Sequence, residues 1–391
     1  MTTPQKDSSK IWNDPVFRGR VFQGVVLAAI IAFFAFIINN TLNNLEVRGI
    51  STGFGFLNQE AGFGIIQSLI EYNETHTYGR TFVVGILNTL LVSLVGIFFA
   101  TILGFLMGIG RLSNNWLISK LAAIYIETFR NIPLLLQIFF WYFAVLGVMP
   151  HPRESMSWGE LVFLNVRGLY IPNPQFSDGI GYVLTSIFLT FVGIWFLRRW
   201  AHKRQDDTGQ QFPVFYTALA ALILIPGIVY LLSGTTTTWD VPALKGFNFK
   251  GGITILPEFT ALLLALVIYT AAFIAEIVRA GLQSVPKGQL EASRALGLKN
   301  NQMLRLVVIP QAMRVIIPPL TSQYLNLVKN SSLATAIGYP DLVAIFAGTT
   351  LNQSGQAIEI IFMVMAVYLT ISLVISLIMN IYNKRMALVE R

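Results

Sequence analysis

A polar stripe around Lys329 carries the side chains of this sequence that are best suited to bind a charged solute. Its members recur at spacings of three and four residues, which places them on one face of a helix. They are Ser322, Gln323, Asn326, Lys329 and Asn330. An ammonium group among amides and hydroxyls offers donors to a carboxylate, so we predict that this face lines a path for a zwitterionic solute. Lys329 in a structural ion pair, or extended to a membrane interface, would also fit the pattern.

The remaining sequence carries no catalytic or metal-binding motif. It has no cysteine and only three histidines, far apart at His76, His151 and His202, which excludes thiolate sites and argues against a histidine metal site. It also lacks the motifs G-x-x-x-x-G-K-[ST] and H-E-x-x-H, which mark phosphate loops and zinc proteases. We therefore predict that the protein is not an enzyme, needs no cofactor or metal, and does not hydrolyse ATP itself.

Other polar groups lie within apolar segments. Glu127 with Arg130 and Glu276 with Arg279 are pairs of opposite charge three residues apart. Such pairs stabilise helices, and we interpret both as structural ion pairs. The Asn-Thr dipeptide at 88–89 is uncharged, and we expect it to contribute to the solute path.

Helices that cross a membrane must position these residues. Hydrophobic residues make up 54% of the 391 and charged residues 12%, about half the charged content of a soluble domain. A helix needs about 20 apolar residues to cross the hydrocarbon core. Eight runs qualify: 21–38, 82–109, 121–149, 179–197, 213–232, 257–278, 314–337 and 358–381. We predict an all-α bundle of about eight transmembrane helices, in which Asn131 and Pro133 tilt or kink the third.

Basic residues orient these helices. If the N-terminus is inside, nineteen of the 27 Lys and Arg residues lie on the inner side and six on the outer side, while Arg130 and Lys329 fall within runs. This bias predicts that both termini are cytoplasmic. The first run has no cleavage site after it, so we interpret it as a retained span. Because the basic residues cluster between apolar runs, the net charge of +8 does not indicate nucleic-acid binding.

The second run carries a small residue at every fourth position, and these residues are Gly96, Ala100, Gly104 and Gly108. This spacing lets two helix backbones approach closely, so we predict that the face packs against another helix. The segments that we interpret as external loops, rich in Gly, Pro, Asn and Thr, are 39–80, 150–178 and 233–256.

The longest inward segment, residues 279–313, has the pattern of two short helices. Pro286 suits the first turn of one helix, and Gly297 is a natural stop for it. An asparagine at 300–301 can cap the second helix, which Pro310 is expected to end. Such a pair either lies on the membrane surface without a partner or docks into a groove of another protein. The pattern alone leaves both possibilities open.

Six residues of this loop resemble the EAA motif of ABC importer permeases. They are Glu291, Ala292, Ser293, Gly297, Ile309 and Pro310. The sequence departs from the motif where Ser293 replaces an alanine and Val308 replaces a frequent leucine, and both changes are conservative. The resemblance implies that the loop is a coupling helix, which inserts into a cleft of a separate ATPase subunit.

Further segments resemble the polar amino-acid branch of these permeases, the histidine, glutamine and general amino-acid group. They are 125–143, 271–292 and 318–342. The resemblance covers most of 82–149 and 257–391, and it implies a permease domain at 82–387 with a five-helix core. The first span, within 1–81, and the inserted spans and loops at about 150–256 resemble the larger general L-amino-acid permeases.

The resemblance implies the permease subunit of an ATP-driven importer of polar or general L-amino acids, in the inner membrane of a bacterium. Its implied partners, besides membrane lipid, are a cytoplasmic ATPase subunit, a periplasmic amino-acid-binding protein and a second permease subunit, although the spans alone equally allow a homodimer. The alternative is an ion-coupled secondary transporter. That class uses buried carboxylates or broken helices near the membrane centre, and no Asp or Glu lies in the middle of a predicted span.

Overall fold

Long apolar helices dominate the protein. The computed structural model describes residues 14–47, 49 and 52–386, without the side chains of three residues near the end of the first helix. In this part of the chain, seven helices are long and apolar enough to cross a membrane, or eight if one broken pair counts as a span, in agreement with the predicted number. The long helices are α1 Pro15–Val47, α2 Tyr78–Arg111, α5 Ile180–Thr208, α6 Val214–Leu232, α7 Pro257–Gln283, α10 Ile309–Asn330 and α12 Ala357–Met386.

The third predicted run is the broken pair. It consists of α3, Trp116–Asn131, and α4, Leu134–Phe139, which continues as a π-helical segment at Phe140–Leu146. Pro133 lies in the break, where its ring removes an N–H group and disfavours helical geometry in the preceding residue. The predicted interruption is confirmed, but it is a complete break and not a kink within one helix.

The described residues form two compact units. One comprises the described residues up to Asn131 and from Leu266 onward, and the other is Ile132–Ala265. In the first unit, residues 52–77 before α2 pack against residues from the second half of the chain. Phe56, for example, lies 6.2 Å from Phe346, measured between ring centroids. The fully buried apolar side chains of this unit include Leu266, Ile274, Ile316, Ile317, Leu327, Leu342, Phe346 and Ile360.

The small-residue face of α2 packs against α7, as predicted. A Cβ atom added to Gly104 would lie 2.5 Å from Cγ2 of Ile274. One added to Gly108 would lie 2.7 Å from the carbonyl oxygen of Ala275 and 2.8 Å from Cβ of Val278. These distances leave no room for a side chain, so the glycines are required by the close approach of the two helices.

The second unit adds eight short strands to the predicted helical bundle, all of them in residues 150–178 and 233–256. They are β1 Met156–Trp158, β2 Val162–Asn165, β3 Gly168–Ile171, β4 Asn173–Phe176, β5 Thr237–Asp240, β6 Ala243–Lys245, β7 Asn248–Lys250 and β8 Ile253–Ile255. Four pair in the order β1-β2-β3-β8, and β4-β5 and β6-β7 form two-stranded sheets. The ring of Phe249 packs 4.6 Å from Phe163 and 4.9 Å from Tyr170, which gives the strands a small aromatic core.

Candidate coupling loop and translocation face

The loop at residues 279–313 contains a short helix with a defined end, α8, at Lys287–Ala295. Its chain reverses at Gly297, which has φ of +73°. The N–H of Gly297 donates to the carbonyl of Arg294 at 2.9 Å, and the N–H of Leu298 donates to the carbonyl of Ser293 at 3.2 Å. This is the Schellman arrangement, which requires a left-handed residue and favours glycine. The predicted stop at Gly297 is confirmed.

The EAA-like residues on α8 have two orientations. Glu291 and Ala292 are exposed, and Leu296 just beyond the helix is 80% exposed. Ser293 is buried instead, and its hydroxyl donates to the carbonyl of Gln289 at 2.6 Å. A small residue is therefore needed where α8 packs within the loop, while the other side of α8 presents a carboxylate and apolar groups to the exterior.

The second helix of the loop does not end at Pro310, which corrects the prediction. α9, Asn300–Met303, passes through a π-helical turn at Leu304–Val308 directly into α10. The N–H of Ile309 donates to the carbonyl of Leu304, five residues back. This wider turn lies just before Pro310, whose ring cannot donate a hydrogen bond and needs space in the preceding turn. The helix therefore continues through the proline.

The start of this helix also differs from the expectation that an asparagine at 300–301 caps it. The N-cap position is Lys299, whose backbone N–H donates to Oε1 of Gln302 at 3.0 Å. Met303 and Val308 are buried, whereas Ile309 is exposed and Pro310 half-buried. The described helical segment from Asn300 to Ile337 is 38 residues long, so the second helix of the loop and the polar stripe belong to one continuous element.

The polar stripe occupies one face of α10. Ser322, Asn326 and Lys329 are exposed, and Gln323 and Asn330 are half-buried. Among the described residues, the one ion pair joins Glu276 and Arg279, so Lys329 has no carboxylate partner there. The structure brings the five predicted residues together on one face of α10, with three side chains exposed and two partly covered.

The opposite face of α10 is packed. Leu327 and Val328 are fully buried, and the hydroxyl of Tyr324 lies 2.8 Å from the hydroxyl of Thr101 on α2. Thr101 in turn donates to the carbonyl of Ile97 at 2.6 Å. One side of α10 is thus held by the protein core, while the amide, hydroxyl and ammonium groups are left on the other.

Similarity to known proteins identifies the family of this chain. A family model described as binding-protein-dependent transport system inner membrane component matches residues 100–388, well over half of the chain. The chain belongs to this family. It is a multi-pass inner-membrane permease subunit and not an enzyme.

Individual relatives extend the similarity over nearly the whole permease. It is 57% identical to YhdX of Escherichia coli strain K12, over 97% of this chain and 96% of that protein. YhdX is provisionally named as an amino-acid ABC transporter permease protein. This chain is 54% identical to the general L-amino acid transport system permease protein AapQ of Rhizobium johnstonii, over 97% and 94% respectively. It is 42% identical to the glutamate/glutamine/aspartate/asparagine transport system permease protein BztB of Rhodobacter capsulatus, over 97% and 96%.

The two predicted ion pairs of the permease have different outcomes. Glu276 and Arg279 form a bidentate pair, with Arg279 Nε 3.0 Å from Glu276 Oε2, so this prediction is confirmed. No ion pair joins Glu127 to Arg130 in the described chain. The guanidinium of Arg130 lies over the ring of Phe273 instead, 5.3 Å from its centroid. An aromatic face replaced the expected carboxylate as the partner.

A buried polar cluster at Asp341 was missed by the sequence analysis. Asp341 is fully buried, and its carboxylate accepts hydrogen bonds from the N–H of Ala344 at 2.8 Å and the hydroxyl of Tyr368 at 3.2 Å. Asp341 lies between the candidate spans that end at Ile337 and begin at Ala357, so it does not contradict the prediction that no carboxylate lies in the middle of a span, but it is a buried acid close to the spans. The argument against a secondary transporter then depends on the family assignment and not on an absence of buried acids.

Asn88 and Thr89 belong to the same region and are fully buried. The amide of Asn88 donates to the carbonyls of Gln67 and Pro340, both at 2.8 Å. The hydroxyl of Thr89 accepts the N–H of Leu342 at 3.0 Å. These hydrogen bonds hold α2 against the segment after α10. The two side chains therefore do not line an open path, which differs from the prediction.

Proposed function

We propose that this permease imports polar or general L-amino acids. The names of AapQ and BztB describe transport of general L-amino acids and of glutamate, glutamine, aspartate and asparagine by those proteins. The identity to them extends over almost the full length of the chain. The stripe with Lys329 suits this substrate class, since an ammonium group and neutral amides can bind the carboxylate that every amino acid carries.

Energy enters the permease through α8. The observation that carries this proposal is the exposed surface of Glu291, Ala292 and Leu296 on a helix whose end is fixed by the Schellman turn at Gly297. Short rigid helices with an exposed apolar and acidic surface suit docking into a groove. A separate ATPase subunit is the partner that the family implies, and closure of that motor around ATP would move α8 as a rigid body.

The motion has a direct route to the solute path. Because α9, the π-helical turn and α10 form one continuous helical segment, displacement of the loop is carried to the face with Ser322, Asn326 and Lys329. A second permease subunit would cover that face and enclose the path, most simply as a heteromer. A periplasmic amino-acid-binding protein would deliver the solute, and membrane lipid would surround the apolar helices.

The proposed arrangement in the membrane has both termini in the cytoplasm, residues 82–387 as the permease domain and 150–256 as an insertion. The distribution of Lys and Arg supports this orientation. The absence of native cysteines makes the test direct. A cysteine introduced at Thr2 should react with a membrane-impermeant thiol reagent only after the cells are opened. Labelling of intact spheroplasts would show instead that the N-terminus lies on the periplasmic side.

The coupling proposal is tested by Glu291→Lys and Gly297→Pro. The first reverses the charge that α8 presents, and the second places a residue with φ near −65° where the chain needs +73°. Both variants should insert into the membrane normally, fail to copurify with the ATPase subunit and lose ATP-dependent uptake in proteoliposomes. Glu154→Lys, an equal charge reversal at an exposed site in the insertion, is the matched control and should transport normally. Normal uptake by Glu291→Lys would remove the coupling role from this loop.

A further inference from the structure

An apolar groove lies between α5 and α6, in the inserted part of the permease. Its volume is about 340 Å³. The walls include Phe191, Ile194 and Trp195 from α5, and Phe215, Leu219 and Leu222 from α6. Ala218 also lines the groove, and its small side chain leaves space between the larger ones.

A single charged side chain lines the groove, the guanidinium of Arg198. It lies seven residues after Phe191, about 10 Å further along the helix axis. It also lies eighteen residues after Ile180, where α5 begins, and this length of helix rises about 27 Å, close to the thickness of the hydrocarbon core. The groove therefore runs from the apolar middle of α5 to a cation at the level of the lipid headgroups.

Arg198 belongs to a basic cluster in which Arg199 and Arg204 are engaged with other side chains. Arg199 lies 3.9 Å above the ring of Trp195, and Arg204 lies 5.4 Å from the ring of Trp200 and donates to Gln210 at 3.0 Å. None of the cluster has a carboxylate partner within the described ranges. Trp195 and Trp200 are residues typical of a membrane interface. Arg198 is thus a cation at an interface, beside an apolar groove and without a counter-ion in the described chain.

We propose that this groove binds an anionic phospholipid, with its phosphate on Arg198 and an acyl chain along Phe191, Leu219 and Leu222. The shape and the charge both fit: the cavity is apolar along its length and cationic at one end. A transmembrane helix of another protein would fill the apolar part but would leave the guanidinium without an anion. Free phosphate would satisfy the guanidinium but leave the apolar walls unfilled. The site lies on the side of the membrane that we propose to be cytoplasmic, where anionic lipids attract basic clusters.

The test uses the full-length chain, purified in mild detergent and depleted of lipid. It is titrated with phosphatidylglycerol or with phosphatidylcholine, and bound lipid is counted by native mass spectrometry. One phosphatidylglycerol should bind per chain, about fivefold more tightly than phosphatidylcholine, and Arg198→Gln should weaken it by about the same factor. Inorganic phosphate should not displace it. Ala218→Trp, which fills the groove, should weaken the binding of both lipids.

The matched control is Lys203→Gln, which removes the same charge from the same cluster but from a residue that does not line the groove. It should leave the affinity for phosphatidylglycerol within about twofold of the wild type. Thermal unfolding of each variant shows whether it is folded. If Arg198→Gln and Lys203→Gln weakened phosphatidylglycerol binding equally, the proposal would be overturned, because the lipid would then be attracted by the basic cluster as a whole and not bound at Arg198. Cross-linking of Leu219→Cys to another polypeptide in native membranes would overturn it as well.

Discussion

The helices α7 and α6 are both apolar enough to cross a membrane, but they meet different surroundings. In the most apolar stretch of α7, 56% of the residues are buried inside the protein, whereas the share is 6% in α6. The α7 residues that face the core are small, such as Ala271, Ala272 and Ala275, all fully buried. Those of α6 that face outward are large, such as Leu231 and Leu232, which are 77% and 82% exposed.

High hydropathy identifies a membrane span in both helices, but it does not determine how much a substitution changes the free energy of unfolding. In α7 the neighbours are other helices, and close packing leaves no free volume for a new methyl group. In α6 most side chains meet no described part of the chain, so different side chains can be accommodated there. The core around α2 and α7 should therefore be intolerant of change, while the inserted hairpin of α5 and α6 should be tolerant except where it binds something specific.

The largest effect is expected for Gly108→Leu. Its first side-chain atom would collide with the backbone and side chain of α7, so the two helices would have to separate and the close packing between them would be lost. Most of the protein should be lost from the monodisperse peak in size-exclusion chromatography. The control is Gly193→Leu on α5, where nothing lies within 4 Å of an added Cβ, and it should elute like the wild type. Equal losses of monodisperse protein for both variants would contradict the difference in packing between the core and the inserted hairpin.

A smaller effect is expected for Asp341→Leu. The change leaves the N–H of Ala344 and the hydroxyl of Tyr368 without an acceptor in a buried site, at a cost of about 1–3 kcal/mol for each unsatisfied group. The thermal midpoint of unfolding in detergent should fall clearly. Asp206→Leu, an equal change at an exposed position of α5, should leave the midpoint unchanged. An unaltered midpoint for Asp341→Leu would mean that the cluster does not stabilise the fold.

Lys329→Gln should lower amino-acid uptake without lowering thermal stability. Because Lys329 is exposed, the thermal midpoint should not change, whereas loss of a charged hydrogen-bond donor to substrate, worth about 1.5–3 kcal/mol, should lower uptake about tenfold or more. Uptake of a radiolabelled amino acid by proteoliposomes checks this, with Lys384→Gln at the end of α12 as the control. Full uptake with Lys329→Gln would exclude the side chain from the path.

The smallest effect is expected in the inserted hairpin. Leu231→Ala removes a mostly exposed side chain from α6 and should change the free energy of unfolding by less than about 0.5 kcal/mol. Leu266→Ala, at a fully buried position of α7, should cost about 2–5 kcal/mol. Denaturant titrations of the two variants measure the difference directly. Similar costs would mean that α6 is packed as tightly as α7 in the native membrane.

The sequence predicted those features that depend on one residue type at a fixed spacing. Gly297 ends α8 because the chain there needs a left-handed conformation, and the small residues of α2 mark a close helix contact whatever their partner is. The number of long apolar helices followed from the thickness of the membrane. The polar face of α10 followed from helical periodicity, since Ser322, Asn326 and Lys329 are separated by four and three residues.

The features that the sequence did not predict depend on tertiary contacts. The strands of the insertion are three or four residues long, too short for an alternating pattern to be recognised. The segment Gly-Tyr-Pro-Asp at 338–341 has the composition of an exposed turn, yet Tyr339 and Asp341 are fully buried, and Asn88 is hydrogen-bonded to Tyr339 and Pro340. Pro310 has the pattern of a helix end, and only the widened turn before it, which sequence does not specify, allows the helix to continue.

The most direct test of the central claim, that energy enters through α8, is amino-acid uptake by proteoliposomes that contain this permease, its ATPase, its second permease subunit and the binding protein. Uptake should require ATP inside the vesicles, persist when ionophores collapse all ion gradients, and stop with Glu291→Lys. Uptake by vesicles that lack the ATPase, driven by an ion gradient alone, would contradict the account.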